Sequence, residues 1–275
     1  MTTYKLWVRI PKTATEALSL DAANGNTLCK DAIQKEMKNV WISFELCANI
    51  SDVPKGYQKI ECHMIFDVKL RESFRHKTWF VAGGHTTITP AFLTYSSVVY
   101  RNYLRTALLL AALHGVEVKS CNIQNAYLSD DCLEKLYIIV GAEFGEEHGT
   151  VMIIRQALYG IRSSGKAFRS FLTNHLWDSG FRPTEGDLEV HIRTAITPDG
   201  YKYYEIIVTY VDDIIGVSYQ AEQMIWSVIT NPFTIKKGVV AAPEICLGAQ
   251  LEHKKINHVK CWTMTSQKYI QADVN

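Results

Sequence analysis

Apolar residues recur along the chain with two alternating periods. Ala32, Ile33, Met37 and Val40, with Glu36 among them, fall at helical spacing and predict a first helix over Asp31 to Val40. A second helix is predicted from Arg101 to Leu113, rich in Leu and Ala and closed by Gly115. A third covers Lys166 to Asp178, where Phe168, Phe171, Leu172 and Leu176 share a face and Gly180 stops the run. A fourth lies near Gln220 to Ile229. Between them the pattern shortens to strands at Cys62 to Leu70, Thr78 to Ala82, Val116 to Ile123 and Leu188 to Arg193. Leu136 to Val140 and Val151 to Ile154 read as an antiparallel pair, and shorter strands fall near Phe233 to Lys236 and Ile245 to Leu251. Residues 1–26 show no clear period and are expected to be a loosely ordered lead-in. Strands and helices intersperse without regular βαβ alternation, so the expected class is α+β with a mostly antiparallel sheet.

One hairpin departs from ordinary turn chemistry. Tyr204 to Thr209 and Ile214 to Ser218 are apolar, β-branched arms joined through Tyr210-Val211-Asp212-Asp213. Asn-Gly or Asp-Gly suits such a connection, because the turn wants positive φ at its centre. Two adjacent acids suit it poorly and repel each other. A divalent cation would explain them, since Mg²⁺ prefers carboxylate oxygens together with substrate phosphates. The plain alternative is a solvated hairpin tip that carries two acids.

Composition narrows the class. The 275 residues are 47% apolar and 21% charged, which indicates a globular chain with room for one large domain or two ordinary ones. The longest apolar run, Ala107 to Leu113, is too short to cross a bilayer, and Met1 to Lys12 has no signal-peptide pattern. No membrane association is expected. Seven cysteines without C-x-x-C spacing argue against a disulfide framework and a zinc site, and fit a cytoplasmic or nuclear, unsecreted protein. Net charge is +1, which does not favour a dedicated nucleic-acid binder. A basic groove could still be assembled from Lys69, Arg71, Arg75, His76 and Lys77, from Lys236-Lys237, and from His253-Lys254-Lys255; the same clusters also read as solvated faces.

Taken in order, several segments resemble the reverse transcriptase of copia-type long-terminal-repeat retrotransposons. Ala32 to Met37 resembles the family's opening helix. Lys77-Thr78-Trp79-Phe80-Val81-Ala82-Gly83-Gly84 is similar to its K-A-R-L-V-A-K-G segment, and Cys121 to Leu128 to its D-V-x-x-A-F-L segment. Ala157 to Phe168 follows the L-Y-G-L-K-Q-S-P-R-A-W pattern, and Tyr210 to Asp213 matches Y-V-D-D. Leu247-Gly248 and Ser266-Gln267-Lys268-Tyr269-Ile270 resemble the segments that follow it. An unrelated α+β enzyme with a two-Asp metal site would leave the Tyr159-Gly160 and Ser266 to Ile270 segments unexplained.

The resemblance implies a right-hand polymerase. Its expected divisions are the lead-in over 1–26, fingers-like residues 27–118, and a palm over 119–235 with 129–157 partly fingers. The palm end and a truncated thumb follow over 236–275. It implies DNA synthesis on a primed RNA or DNA template from deoxynucleoside triphosphates. The chemistry implied is phosphoryl transfer with two Mg²⁺ ions, or Mn²⁺ in their place. The RNase H and integrase regions of a parent polyprotein are expected to lie outside this chain.

Residue by residue, Asp212 is implied to bridge the metals and Asp213 to act beside it. The third carboxylate of the pattern falls on Asn122, a departure. A carboxamide offers one neutral acceptor oxygen and turns NH₂ donors toward a cation. Site charge falls from −3 to −2, and each lost charge–charge contact is worth several kcal/mol even at an effective dielectric near ~20. Ile123 is implied to offer its backbone carbonyl to a metal. Tyr127 stands where the family places an aromatic under the incoming sugar, and is otherwise a core aromatic. Lys77 suits the triphosphate, while the family's Arg and later Lys have become Trp79 and Gly83, and Arg162 could meet a phosphate. Both cations also read as surface charges. Three functions compete: an active polymerase, a retained non-catalytic module that binds nucleic acid or a partner, and a relic of a transposable element. The lesions at Asn122 and Trp79 favour a polymerase that is catalytically impaired.

Overall fold

The computed structural model describes residues 3–5, 7–69, 74–92 and 94–266. The chain divides into two compact units, Met1–Tyr95 with Tyr127–Phe168 and Ser96–Ala126 with Arg169–Asn275.

The first unit opens with an antiparallel hairpin of β1 (Thr3–Lys5) and β2 (Val8–Ile10), followed by α1 (Ala14–Asn24). The described residues among 1–26 thus form two strands and a helix where a loosely ordered lead-in was expected. The helix lacks a strong apolar stripe, with only Ala17 and Asp21 buried, and its caps define it instead. Thr13 Oγ1 accepts the Glu16 N–H at 3.2 Å, and Gly25 closes the end at φ 64°. The Asp21 carboxylate then accepts the N–H groups of Cys29 (3.1 Å) and Lys30 (2.8 Å) in the first turn of α2 (Leu28–Val40). That helix buries Cys29, Ile33, Met37 and Val40, as its period predicts.

Next come β3 (Phe44–Cys47), β4 (Gln58–Lys59), β5 (Cys62–Lys69) and β6 (Arg75–Ala82), the last two forming a hairpin. The chain enters the second unit for α3 (Arg101–His114) and β7 (Glu117–Asn122), then returns to the first for β8 (Leu136–Ile139) and β9 (Val151–Ile154). A four-stranded sheet runs β3-β9-β8-β4; β8 and β9 pair antiparallel as expected, while β4 and β8 are parallel. The core of this unit gathers Ile33, Met37, Phe80, Leu136, Ile138, Met152 and Leu158.

The division of units passes through α4 (Ser164–Asp178). The second unit continues with β10 (Arg182–Pro183), β11 (Val190–Ile196), β12 (Lys202–Tyr210) and β13 (Asp213–Ser218). These join β7 in a five-stranded sheet, order β10-β11-β12-β13-β7, in which every pairing is antiparallel. Its core holds Leu104, Ala107, Leu108 and Ala111 of α3 with Val118, Val208, Ile215 and Val217. α5 (Ala221–Ile229) packs where Gly216 leaves room, since a Cβ there would stand 2.7 Å from Met224 Cε and 2.9 Å from Ile225 Cγ1. The strand expected over Phe233 to Lys236 is reduced to one bridge, Ile123 with Ile235.

β14 (Ile245–Cys246), β15 (Ala249–Ile256) and β16 (Val259–Thr265) form a three-stranded sheet. The single strand expected over Ile245 to Leu251 is broken at Leu247-Gly248, both at positive φ. Residues 267–270 of the Ser266 to Ile270 segment lie outside the described residues, as does Arg71.

Candidate active site

The acids at the hairpin do not both sit in the turn. Tyr210 pairs with Asp213, so Val211 and Asp212 are the two central residues and Asp213 opens β13. Val211 adopts φ 54°. A β-branched side chain in that region is strained, because its Cβ crowds the backbone. The hairpin thus carries a local cost beyond the repulsion of its acids.

β7 lies beside β13 with Asn122 opposite Asp213. The Asn122 Nδ2 donates to Asp212 Oδ2 at 2.9 Å and to Asp213 Oδ1 at 2.8 Å. Its Oδ1 is buried without a hydrogen-bond partner among the described residues. The opposite amide orientation would crowd three acceptor oxygens together, so the carboxylates fix this one. Hydrogen bonds to charged groups contribute roughly 1.5–3 kcal/mol each when buried. Here the acids are half-buried, so each contributes at the low end of that range. Burial raises the Asp213 carboxyl above its ordinary value; the Asn122 amide opposes this, the Asp212 charge adds to it, and Lys236 opposes it.

The backbone after Asn122 is tied to the hairpin and to the segment before Ile235. Ile123 N–H donates to the Asp212 carbonyl at 2.7 Å, and Gln124 N–H to the Thr234 carbonyl at 2.8 Å. Burial pushes the Cys121 thiol up to about 12 and the Cys246 thiol up to about 11, with the Asp213 charge adding to both. Neutral thiols are poor metal ligands.

A divalent ion fits this donor set badly. Two carboxylates remain, and the third group turns an NH₂ toward the space between them, where an oxygen ligand at ~2.1 Å would be needed for Mg²⁺. Among the described residues, no group of three or more His, Cys, Asp or Glu side chains is arranged to hold a metal ion.

Sequence reasoning missed a buried polar network behind the hairpin. Glu189, 4% exposed, accepts from Arg169 Nε and Ser97 Oγ on Oε1 and from Thr209 Oγ1 on Oε2 at 2.8 Å. Thr209 N–H also donates to the Glu189 carbonyl at 2.9 Å, which ties β12 to this network one residue before Tyr210. A glutamate within the apolar Leu188 to Ile192 run was the available signal.

The other expected site residues belong to the first unit. Tyr127 stands edge-on to Tyr159, centroids 5.0 Å apart, and to Phe168 at 6.1 Å. Lys77 Nζ lies 4.3 Å over the Trp79 ring, and Lys69 Nζ 5.5 Å from it. Trp79 thus gathers cations through its π face although it cannot grip phosphate as arginine does. Arg162 Nε donates to the Gly84 carbonyl at 2.7 Å and its Nη2 to the His85 carbonyl at 3.1 Å. Gly160, at φ 88°, lets the adjoining turn meet β6, for a Cβ there would fall 2.0 Å from the Ala82 carbonyl oxygen.

Comparison with known proteins places these residues in one family. The reverse transcriptase (RNA-dependent DNA polymerase) family matches residues 46–239, a stretch that includes Asn122 and the Tyr210 to Asp213 hairpin. The chain is also similar to the retrovirus-related Pol polyprotein from transposon TNT 1-94 of Nicotiana tabacum, 23% identical over 273 residues. That alignment takes in 96% of this chain and 20% of the polyprotein, so the chain spans about a fifth of its relative's length. No helix among the described residues is long and apolar enough to cross a membrane. The match covers well over half of the sequence, and the chain belongs to the reverse transcriptase family, in its copia-type branch.

Proposed function

We propose that this chain is a copia-type reverse-transcriptase domain whose DNA synthesis is blocked or strongly weakened at Asn122. The observation that carries this reading is the Asn122 NH₂ held between Asp212 and Asp213. Reverse transcriptases generally use divalent metals. The acids that would hold them are here reduced to two and bridged by a donor. Removing one member of a catalytic unit commonly costs about 10⁴-fold or more in rate.

In this reading the substrates are a primed RNA or DNA template and deoxynucleoside triphosphates. Residues 27–118 serve as fingers, residues 119–235 as palm with 129–157 partly fingers, and residues 236–275 as the palm end and the start of a thumb. Tyr127 selects deoxynucleotides by excluding a 2′-hydroxyl, and its edge-on packing against Tyr159 and Phe168 would hold the ring for that task. Lys77 meets the triphosphate. Arg162 supports the Gly84-His85 loop through its two carbonyl contacts and meets phosphate only secondarily.

A second reading, a nucleic-acid-binding module without turnover, is favoured by the β15–β16 hairpin. Its strands present Lys255 and Lys260 as exposed cations that do not depend on Asn122, beside Lys254, which pairs with Glu252 at 2.5 Å.

Primer extension on an RNA template with Mg²⁺ or Mn²⁺, comparing the unaltered chain with Asn122→Asp, tests the proposal. Extension only by Asn122→Asp is the expected result. Extension by the unaltered chain overturns the impaired reading. Silence from both, with retained affinity for primer–template, favours the binding module.

A further inference from the structure

We infer that the Asn122 carboxamide is a built-in occupant of the cation position, a clamp that keeps Asp212 and Asp213 together without any metal ion. The inference rests on reading these three residues as the polymerase centre, and concerns what holds that centre shut.

The geometry has three parts. One nitrogen reaches both acids at 2.9 and 2.8 Å, each through its own N–H, so the carboxylates are bridged as a cation would bridge them. The amide oxygen, pointing away, is buried and unpartnered among the described residues, so the side chain is oriented by its contacts with the acids alone. The backbone fixes both ends, through the Asn122–Asp213 pairing of β7 with β13 and the Ile123 N–H on the Asp212 carbonyl. A divalent ion entering this site would have to break both amide contacts and turn the carboxamide over before gaining a third, neutral oxygen. An aspartate at the same place would add a third negative charge to two that already repel. The unaltered chain is therefore closed and stable without metal, whereas Asn122→Asp is expected to need metal to be equally stable.

The test uses the full chain without nucleic acid or nucleotide, so it is separate from primer extension. Mn²⁺ binding is followed by water-proton relaxation, and thermal unfolding is recorded in EDTA and in excess Mg²⁺. Asn122→Asp should bind Mn²⁺ at least about tenfold more tightly than the unaltered chain. Its unfolding midpoint should lie below that of the unaltered chain in EDTA and recover in Mg²⁺. The unaltered midpoint should be the same in both. Equal Mn²⁺ affinity of the two chains, or an Asn122→Asp midpoint in EDTA no lower than the unaltered one, would overturn the clamp. If Asn122→Asp folds only with Mg²⁺, the clamp is supported. If it folds in neither condition, the unaltered chain is compared with Asp212→Asn. Mn²⁺ binding that this substitution abolishes overturns the inference, and unchanged binding supports it. Primer extension by the unaltered chain would overturn both the impaired-polymerase reading and the clamp, because that reaction needs the metal ions the clamp keeps out. Equal Mn²⁺ affinity of the two chains without extension would overturn the clamp alone.

Discussion

Asn122 faces Asp213 directly across the β7–β13 ladder, and its amide donates to that carboxylate at 2.8 Å. The pair decides how a charged acid is tolerated where burial alone would favour its neutral form. Removing the amide should therefore hurt most when the acid is ionised. A carboxyl raised by burial stabilises the fold while it is protonated, and that contribution is lost as pH rises through its folded-state value. Asn122→Ala is expected to lower stability by about 3 kcal/mol at neutral pH, from two half-buried charged hydrogen bonds. The loss should shrink once Asp213 is protonated. Urea midpoints at neutral and acid pH measure this, and an equal loss at both would point to packing in place of charge.

Val211 stores strain two residues before Asp213. Its φ of 54° is unfavourable for a β-branched residue, and such positions cost of order 1–3 kcal/mol. Glycine relieves that cost but brings roughly 0.5–1 kcal/mol of chain entropy. Val211→Gly is expected to stabilise the second unit by about 1 kcal/mol, measured by equilibrium unfolding. Destabilisation would mean that packing of the Val211 side chain outweighs the strain.

The sequence was legible wherever one apolar period ran long enough to bury a face. Leu104, Ala107, Leu108 and Ala111 line one side of α3, and β8 and β9 pair as their alternation implies. It was not legible where caps set the structure, as the Thr13 side chain and the left-handed Gly25 backbone do for α1. The β15–β16 hairpin gave little signal because its outer residues, Glu252 to Lys260 among them, are polar or exposed on both faces. At the site, sequence located Asn122 and the two acids, but not the bridging of both acids by one nitrogen. The turn position was hidden for a related reason: pairing of Tyr210 with Asp213, not the identity of the acids, puts Val211 at its centre.

His191 on β11 should make the fold sensitive to acid. It is 1% exposed, and neither ring nitrogen has a hydrogen-bond partner among the described residues. Burial holds the imidazole down at about 4, with Glu189 opposing and Arg169 reinforcing the shift. The unfolded chain, titrating near 6.5, binds the proton first, so stability is complete above that value and declines toward pH 4. The loss at pH 5 should be about 2 kcal/mol relative to neutrality. His191→Leu should flatten that part of the stability profile, and an unchanged slope would assign the acid sensitivity to other groups.

Arg162 offers a direct choice between support and substrate contact. Its two carbonyl contacts predict that Arg162→Ala lowers stability of the first unit by roughly 1–3 kcal/mol. Thermal unfolding checks it. An unchanged midpoint with weakened nucleic-acid or nucleotide binding would instead assign the guanidinium to phosphate.

Lys255 and Lys260 stand opposite one another in the β15–β16 register, two like charges that oppose pairing of their strands. Such an arrangement costs stability unless a polyanion neutralises it, which is the position of a cation that meets nucleic-acid phosphate. Replacing both by alanine should leave the unfolding midpoint unchanged or slightly raised. The same change should weaken binding to a primer–template duplex and reduce the slope of log affinity against log salt by about 1.8. Fluorescence anisotropy across a salt series measures that slope. An unaltered slope would remove this hairpin from the nucleic-acid surface and leave the binding-module reading without its main support.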